Sequence, residues 1–326
     1  MPTALLTGAL LGALALGGCN RASAPATIPV ATPAKSPAVT ARPDGTVQPL
    51  PGPGTAAVFD AATSSLVVLG TGASGQSVVS VGTDVIALPA PATALAGDGT
   101  GHAYLTTRGG YFRLDIAQRA VSMVNITGDA ASAGTAFTAI TQRADGHLVL
   151  GTADGWVLTL NSKSVVGPHL KAFARVDQLV AQGNDVIVLD RGQTSVTEVS
   201  DAGAAQALRA GRGATWMSAD PAGRVLVADT RGDGLLVFGT GPLILRQYAP
   251  VPDAPYGIVG TAQLTWVSQT ATNSVVGYDL STGIPVEKAR YRTVQQPNAL
   301  AFDERSGTLF VVSGSGAGVQ AIPVRR

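Results

Sequence analysis

The chain has 326 residues, of which 45% are hydrophobic, 13% charged and 5% aromatic; this excludes a disordered polypeptide and allows one large domain or two ordinary ones. Its 22 Lys and Arg against 21 Asp and Glu leave a net charge of +1, without the basic excess of a nucleic-acid-binding surface. Forty glycines, abundant Val and Thr and few Lys or Glu point to short strands joined by tight turns, so an all-β fold is expected.

Ala4 to Leu16 is an unbroken small and apolar run. It is too short for a bilayer, which needs about 20 residues, and reads as the core of a signal peptide. Leu16-Gly17-Gly18-Cys19 follows at once and resembles the lipobox of bacterial lipoproteins, although Met1-Pro2-Thr3 lacks the Lys or Arg of an ordinary n-region. Cleavage there makes Cys19, the only cysteine, the lipidated N-terminus, and two acyl chains suffice for stable membrane anchoring. No disulfide is then possible. Pro25, Pro29, Pro33, Pro37 and Pro43 recur among Ala, Ser and Thr without apolar periodicity, which reads as an extended spacer. The expected organisation is a signal peptide over 1–18, the lipidated Cys19 and a Pro/Ala/Thr-rich linker over 19–43, and a folded domain over 44–326.

Beyond residue 55 the chain repeats. Each unit has a small, apolar strand, an Asp or Gly turn, and a second, more hydrophobic strand, as in Ala57-Val58-Phe59-Asp60 with Leu66-Val67-Val68-Leu69. Corresponding second strands are Ala103–Thr106, Leu148–Gly151, Val186–Asp190, Val225–Asp229, Leu264–Val267 and Leu309–Val312, which makes seven units. Their spacing averages about 40 residues, the length of a four-stranded propeller blade and too long for leucine-rich or tetratricopeptide repeats. The expected fold is therefore a seven-bladed β-propeller of the WD40/YVTN type. The last unit runs out of chain near Val324, so Thr46-Val47-Gln48-Pro49-Leu50 is expected to close the ring by joining blade seven, where an outer edge tolerates Pro49.

Several stretches are distinctive: Gly109–Phe112, Phe173–Asp177, Val188–Val196, Pro242–Arg246, Gln295–Asn298 and Ser313–Gln320. With the lipobox they make the chain resemble, over nearly its whole length, the LppL family of mycobacterial lipoproteins. The resemblance implies an exported, lipid-anchored propeller in an actinobacterium and no particular reaction.

Motifs for chemistry are sparse. Gly70-Thr71-Gly72-Ala73-Ser74-Gly75 matches G-x-G-x-x-G, but a strand pattern follows it and no helix N-terminus is available for a pyrophosphate, so it reads as a glycine-rich hairpin. Arg231-Gly232-Asp233 lies between two strands and reads as a turn. His102, His147 and His169 have no partners at metal-ligand spacing, and no nucleophile elbow is present. No cofactor, metal ligand or catalytic residue is assigned. A binding or scaffold module is favoured, with a metal-dependent lactonase-type hydrolase in the channel as the alternative.

In a four-stranded blade the second-to-third turns share a face with the blade-to-blade connections. That face should collect Arg108, Arg191, Arg231, Gln269 and Ser313 from the turns, and Arg175, Asp177, Arg212, Tyr256, Gln296 and Asn298 from the connections. Arg175, Arg191, Arg212 and Arg231 should be neighbours. They suit an anionic ligand or a cell-envelope protein, unless Asp177, Asp190 and Asp229 neutralise them as ion pairs between blades.

Overall fold

The computed structural model describes residues 27–129 and 131–324, so Cys19 and the apolar run before it lie outside the described residues. The chain forms seven four-stranded antiparallel sheets and, among the described residues, no helix. Blade 1 comprises Gly54–Asp60, Ser65–Thr71, Ser77–Val81 and Asp84–Ala87. Blade 2 comprises Leu95–Gly97, His102–Thr107, Gly110–Asp115 and Ala120–Asn125, and blade 3 Phe137–Gln142, Leu148–Thr152, Trp156–Leu160 and Val166–Lys171. Blade 4 is Gln178–Gln182, Asp185–Asp190, Ser195–Ser200 and Gly203–Arg209, and blade 5 Ala214–Ala219, Arg224–Asp229, Gly234–Gly239 and Ile244–Pro250. Blade 6 is Pro255–Gly260, Thr265–Gln269, Ser274–Asp279 and Val286–Arg292. Blade 7 takes Pro297–Asp303, Thr308–Ser313 and Val319–Pro323 from the C-terminus and its outer strand, Thr46–Gln48, from the N-terminal side. The protein is a seven-bladed β-propeller.

Burial follows strand position. Second strands such as Leu148–Thr152 are buried along their whole length, because blades cover both of their faces. This is why they read as continuous apolar runs rather than as alternating ones. Outer strands such as Gly203–Arg209 are largely exposed. The core is correspondingly divided into seven apolar layers, one between each pair of adjacent blades.

The layers are unequal. The one between blades 7 and 1 contains four buried apolar residues, Val68, Ala299, Val312 and Val319, against ten in the layer between blades 1 and 2. Phe59 and Phe310 stack across this seam with ring centroids 5.6 Å apart. Polar contacts within blade 7 and to blade 6 add to ring closure. Thr46, Val47 and Gln48 pair with Ala321, Gln320 and Val319. The wholly buried Gln320 side chain donates to the carbonyls of Asp44 and Arg292, at 2.5 and 2.9 Å, and accepts from the Val294 N–H at 2.9 Å. Asp44 in turn accepts from the Arg292 N–H at 2.7 Å and from its guanidinium at 2.8 Å. The N-terminal segment thus latches blade 7 to blade 6.

A chain starting at residue 51 should melt lower than one starting at residue 44, by about 2 °C or more for each kcal/mol of lost latch. Equal melting temperatures would show that the added strand contributes nothing. The latch also has a pH signature. The Arg292 guanidinium and then its backbone N–H hold the Asp44 carboxyl below its ordinary range, against a smaller opposing effect of burial. A depressed carboxyl stabilises the fold above its unfolded value of about 3.9, and that contribution is lost as pH falls through the folded value. Asp44→Asn should therefore lower the melting temperature at neutral pH and converge with wild type in strong acid.

Candidate functional site

On the face that carries the second-to-third turns, loop geometry in blades 4 and 5 is governed by the residue ending the second strand. In blade 4 the wholly buried Asp190 accepts from the N–H groups of Ala174 and Arg175, at 3.0 and 3.2 Å in the incoming connection, and of Gln193, at 3.0 Å in its own turn. Asp229 does the same in blade 5 for Arg212, Gly213 and Gly232, at 2.8, 2.7 and 3.0 Å. One short acceptor satisfies the N–H groups of two loops that would otherwise be buried unpaired. The approach is close enough that a Cβ on Gly211, at φ +78°, would lie 2.0 Å from the Asp229 carboxylate.

Residues 27–43, which composition reads as a spacer, lie against this face. They form no strand and run from blade 4 to blade 7 as an extended strap. The Ile28 N–H donates to the Gly192 carbonyl at 2.7 Å. Arg231 Nη2 donates to the Pro29 carbonyl at 2.6 Å, and Arg191 Nη2 to the Ala31 carbonyl at 2.5 Å. Further along, Thr270 Oγ1 accepts from the Ala34 N–H at 3.1 Å, and the Thr270 carbonyl accepts from the Ser36 hydroxyl at 2.5 Å. Gln296 holds both polarities of the main chain, donating to the Ala34 carbonyl at 2.9 Å and accepting from the Ser36 N–H at 3.1 Å. Asn273 donates to the Pro37 carbonyl at 2.9 Å, and Gln295 to those of Ser36 and Pro37 at 3.3 and 3.2 Å. Only Ala31 and Ser36 are buried, whereas Ile28 and Val30 stay exposed.

Net hydrogen bonds of roughly 0.5–1.5 kcal/mol each are of the same order as the ordering cost of about 1–2 kcal/mol per residue. Pro29, Pro33 and Pro37 lower that cost by fixing φ in advance. The docked strap is therefore a shallow, finely balanced contact.

This geometry reassigns the expected side chains. Arg191 and Arg231 meet on the strap, and their guanidinium groups contact main-chain carbonyls rather than carboxylates. Asp190 and Asp229 bond to backbone N–H groups and do not neutralise the arginines. Of the expected pairs, only Arg175 and Asp177 form, at 2.9 Å, with Asp177 also accepting from the Arg191 N–H at 2.9 Å. Arg212 is exposed and contributes its carbonyl to Arg231 Nη1 at 3.3 Å. Gln269 and Ser313 are wholly buried: Gln269 binds the Pro252 carbonyl, Ser274 and Arg290, while Ser313 binds the Gln295 carbonyl and the N–H groups of Ser315 and Ala317. Neither presents a surface to a ligand. Arg108 sits apart in blade 2, donating to the Gly134 carbonyl at 2.8 Å. Tyr256 packs on Trp216 with centroids 6.0 Å apart; burial pushes its phenol up, and the nearby Arg191 partly offsets this. Asn298 accepts from Gln296 at 3.1 Å.

The residues that sequence reading missed are Thr270, Asn273 and Gln295, together with the strap itself. The only signal was the four-residue spacing of Pro29, Pro33 and Pro37, which is equally compatible with a free linker. On the opposite face an open depression of about 420 Å³ is bordered by Asp98, Thr100, Gln142 and Arg143. Arg143 is tied there to Asp145 and Asp201, both at 2.7 Å. Among the described residues no three His, Cys, Asp or Glu side chains gather as a metal-ligand group.

No protein-family model matches the sequence, and no curated protein matches it. Solved structures do. A streptogramin B lyase aligns with a TM-score of 0.64 and 11% identity, over 86% of this chain and 96% of its own. Virginiamycin B lyase from Staphylococcus aureus gives 0.66 and 12%, over 86% and 100%. The WD40 repeats of RRP9 give 0.70 and 13%, over 89% and 99%. At these identities the likeness is one of fold, and a fold that carries both lyases and WD40 repeats does not choose a function.

Replacing Arg191 and Arg231 together by Ala should loosen the strap. The Ile28 amide should exchange at least about tenfold faster, as expected for losing bonds of this strength, while second-strand amides such as that of Val188 keep their protection. Unchanged Ile28 exchange would mean that the guanidinium contacts do not hold the strap.

Proposed function

We propose that this protein is an exported, lipid-anchored lipoprotein of the LppL type, held at the outer face of the plasma membrane through Cys19, whose propeller is a binding or scaffold module. One observation carries the binding role: side chains from blades 4 to 7 converge on one face and hold an extended polypeptide through its main chain. The partner that suits this face is a cell-envelope protein. Anionic ligands are a weaker fit, because Arg191 and Arg231 point their donors at peptide carbonyls, although Arg212 remains exposed beside them. Hydrolysis in the channel gains no support from the described side chains.

The anchor rests on Leu16-Gly17-Gly18-Cys19 and the apolar run before it. Cys19→Ala should leave the protein uncleaved or shed from membranes, as read by fractionation and by the mass of the N-terminal peptide. Mature protein bound to membranes at the wild-type level would refute lipidation. For the binding role, crosslinking the lipidated protein in its own membranes should capture an envelope protein, and the Arg191→Ala, Arg231→Ala chain should alter that capture without a change in melting temperature.

A further inference from the structure

We infer that the strap-bearing face is a binding groove for extended, proline-containing polypeptide segments of another protein, and that residues 28–37 occupy it in cis. The inference rests on the binding role proposed above and names its ligand chemistry.

The groove carries the marks of peptide recognition. Apart from the Ser36 hydroxyl, which donates to the Thr270 carbonyl, its contacts fall on the main chain: carbonyls of Pro29, Ala31, Ala34, Ser36 and Pro37 accept from Arg231, Arg191, Gln296, Gln295 and Asn273, and the N–H groups of Ala34 and Ser36 donate to Thr270 and Gln296. A proline ring costs nothing at a position read only through its carbonyl, and it pre-orders the extended backbone that reaches successive donors. Selectivity lies at two places. Ala31 is buried at 6% exposure and Ser36 at 4%, whereas Val30 is 41% exposed. Below Ala31 the floor is Gly213, where an added Cβ would lie 3.0 Å from the Ala31 Cβ and 2.7 Å from that of Arg231. Only small side chains fit there. Unused donor capacity remains as well, since the buried Nε of Arg191 has no partner.

The cis segment wins through its tether. It leads directly into Asp44 and the ring-closing strand, so its local concentration at the groove is high although its own contacts are shallow. A partner segment with the same extended backbone, small residues at the two buried positions and prolines elsewhere makes the same bonds and competes with it.

The test uses the chain from residue 20 onward, without lipid, so its outcome is independent of whether Cys19 is acylated. Ala31→Arg with Ser36→Arg puts a long side chain at both buried positions and should undock the strap, seen as faster exchange at Ile28 with the ring still folded. A fluorescently labelled peptide of residues 28–37 should then bind this variant in anisotropy titrations, and bind the wild-type chain at least about tenfold more weakly because the tethered segment competes. Adding Arg191→Ala and Gln296→Ala to the variant should weaken binding by at least about tenfold. Peptides altered at the exposed Val30 and Thr32 should bind within about threefold of the parent, and a peptide with Leu at positions 31 and 36 should not bind. Absence of binding to the undocked, folded variant would overturn the proposal. So would equal binding to wild type, equal binding of the Leu peptide, or a strap that stays protected despite both arginines. Concentration-dependent dimerisation of the wild-type chain, lost in the variant, would assign the groove to a second copy's strap and overturn it in favour of self-association.

Discussion

No blade of this protein can bury its own two faces. A four-stranded sheet of Val, Leu and Ala at its second strand requires apolar cover on both sides, and only the neighbouring blades supply it. The structure therefore depends on closing the ring. Every layer except one joins blades that follow each other in the chain; the seam between blades 7 and 1 must be made by residues far apart in sequence. That seam has the fewest buried apolar residues, and polar pairing along Thr46–Gln48 and around Gln320 and Asp44 adds to what the layer provides. Closing a long loop costs entropy only once, after which all seven layers are held.

Ring closure also decides where the segment before residue 44 goes. Because Thr46–Gln48 is the outer strand of blade 7, the preceding chain emerges beside blades 6 and 7 and can lie back over the face carrying the second-to-third turns. Side chains are free there to bond a main chain, because the second-strand ends Asp190, Asp229, Gln269 and Ser313 absorb the loops' own backbone groups. Arg191, Arg231, Asn273 and Gln296 are left with donors to spend on something else. In this structure they spend them on the strap.

The arginines show how residue type alone misleads. Guanidinium groups near carboxylates in sequence suggest either an anion site or ion pairs, whereas those of Arg191 and Arg231 donate to main-chain carbonyls of the strap. Asp190 and Asp229 sit at wholly buried strand ends, where unpaired backbone N–H groups have the stronger claim on an acceptor. The arginines project from the turns beyond them, at the level of the strap. Three residues apart in sequence, Asp190 and Gln193 meet by a local turn; Arg191 and Ala31 meet because a ring brings blade 4 under a segment that starts 160 residues earlier.

Much of the fold was legible. Seven units at about 40-residue spacing, second strands built around unbroken apolar runs, and a last unit lacking its outer strand all follow from two-sided burial and chain length, which act locally or count residues. The face on which Arg191, Arg231 and Gln296 gather was also legible, because strand reversal within a blade fixes which turns share a side. What the sequence could not decide was which side chains would be free on that face, since Gln269 ends the second strand of blade 6 and is buried whereas Arg191 stands one residue beyond the second strand of blade 4, and only packing tells the two positions apart. Nor could it decide between a spacer and a strap for residues 27–43. Proline-rich segments have no internal hydrogen bonds to mark their conformation, so their position is set wholly by the groups they meet, and these come together only when the ring is closed.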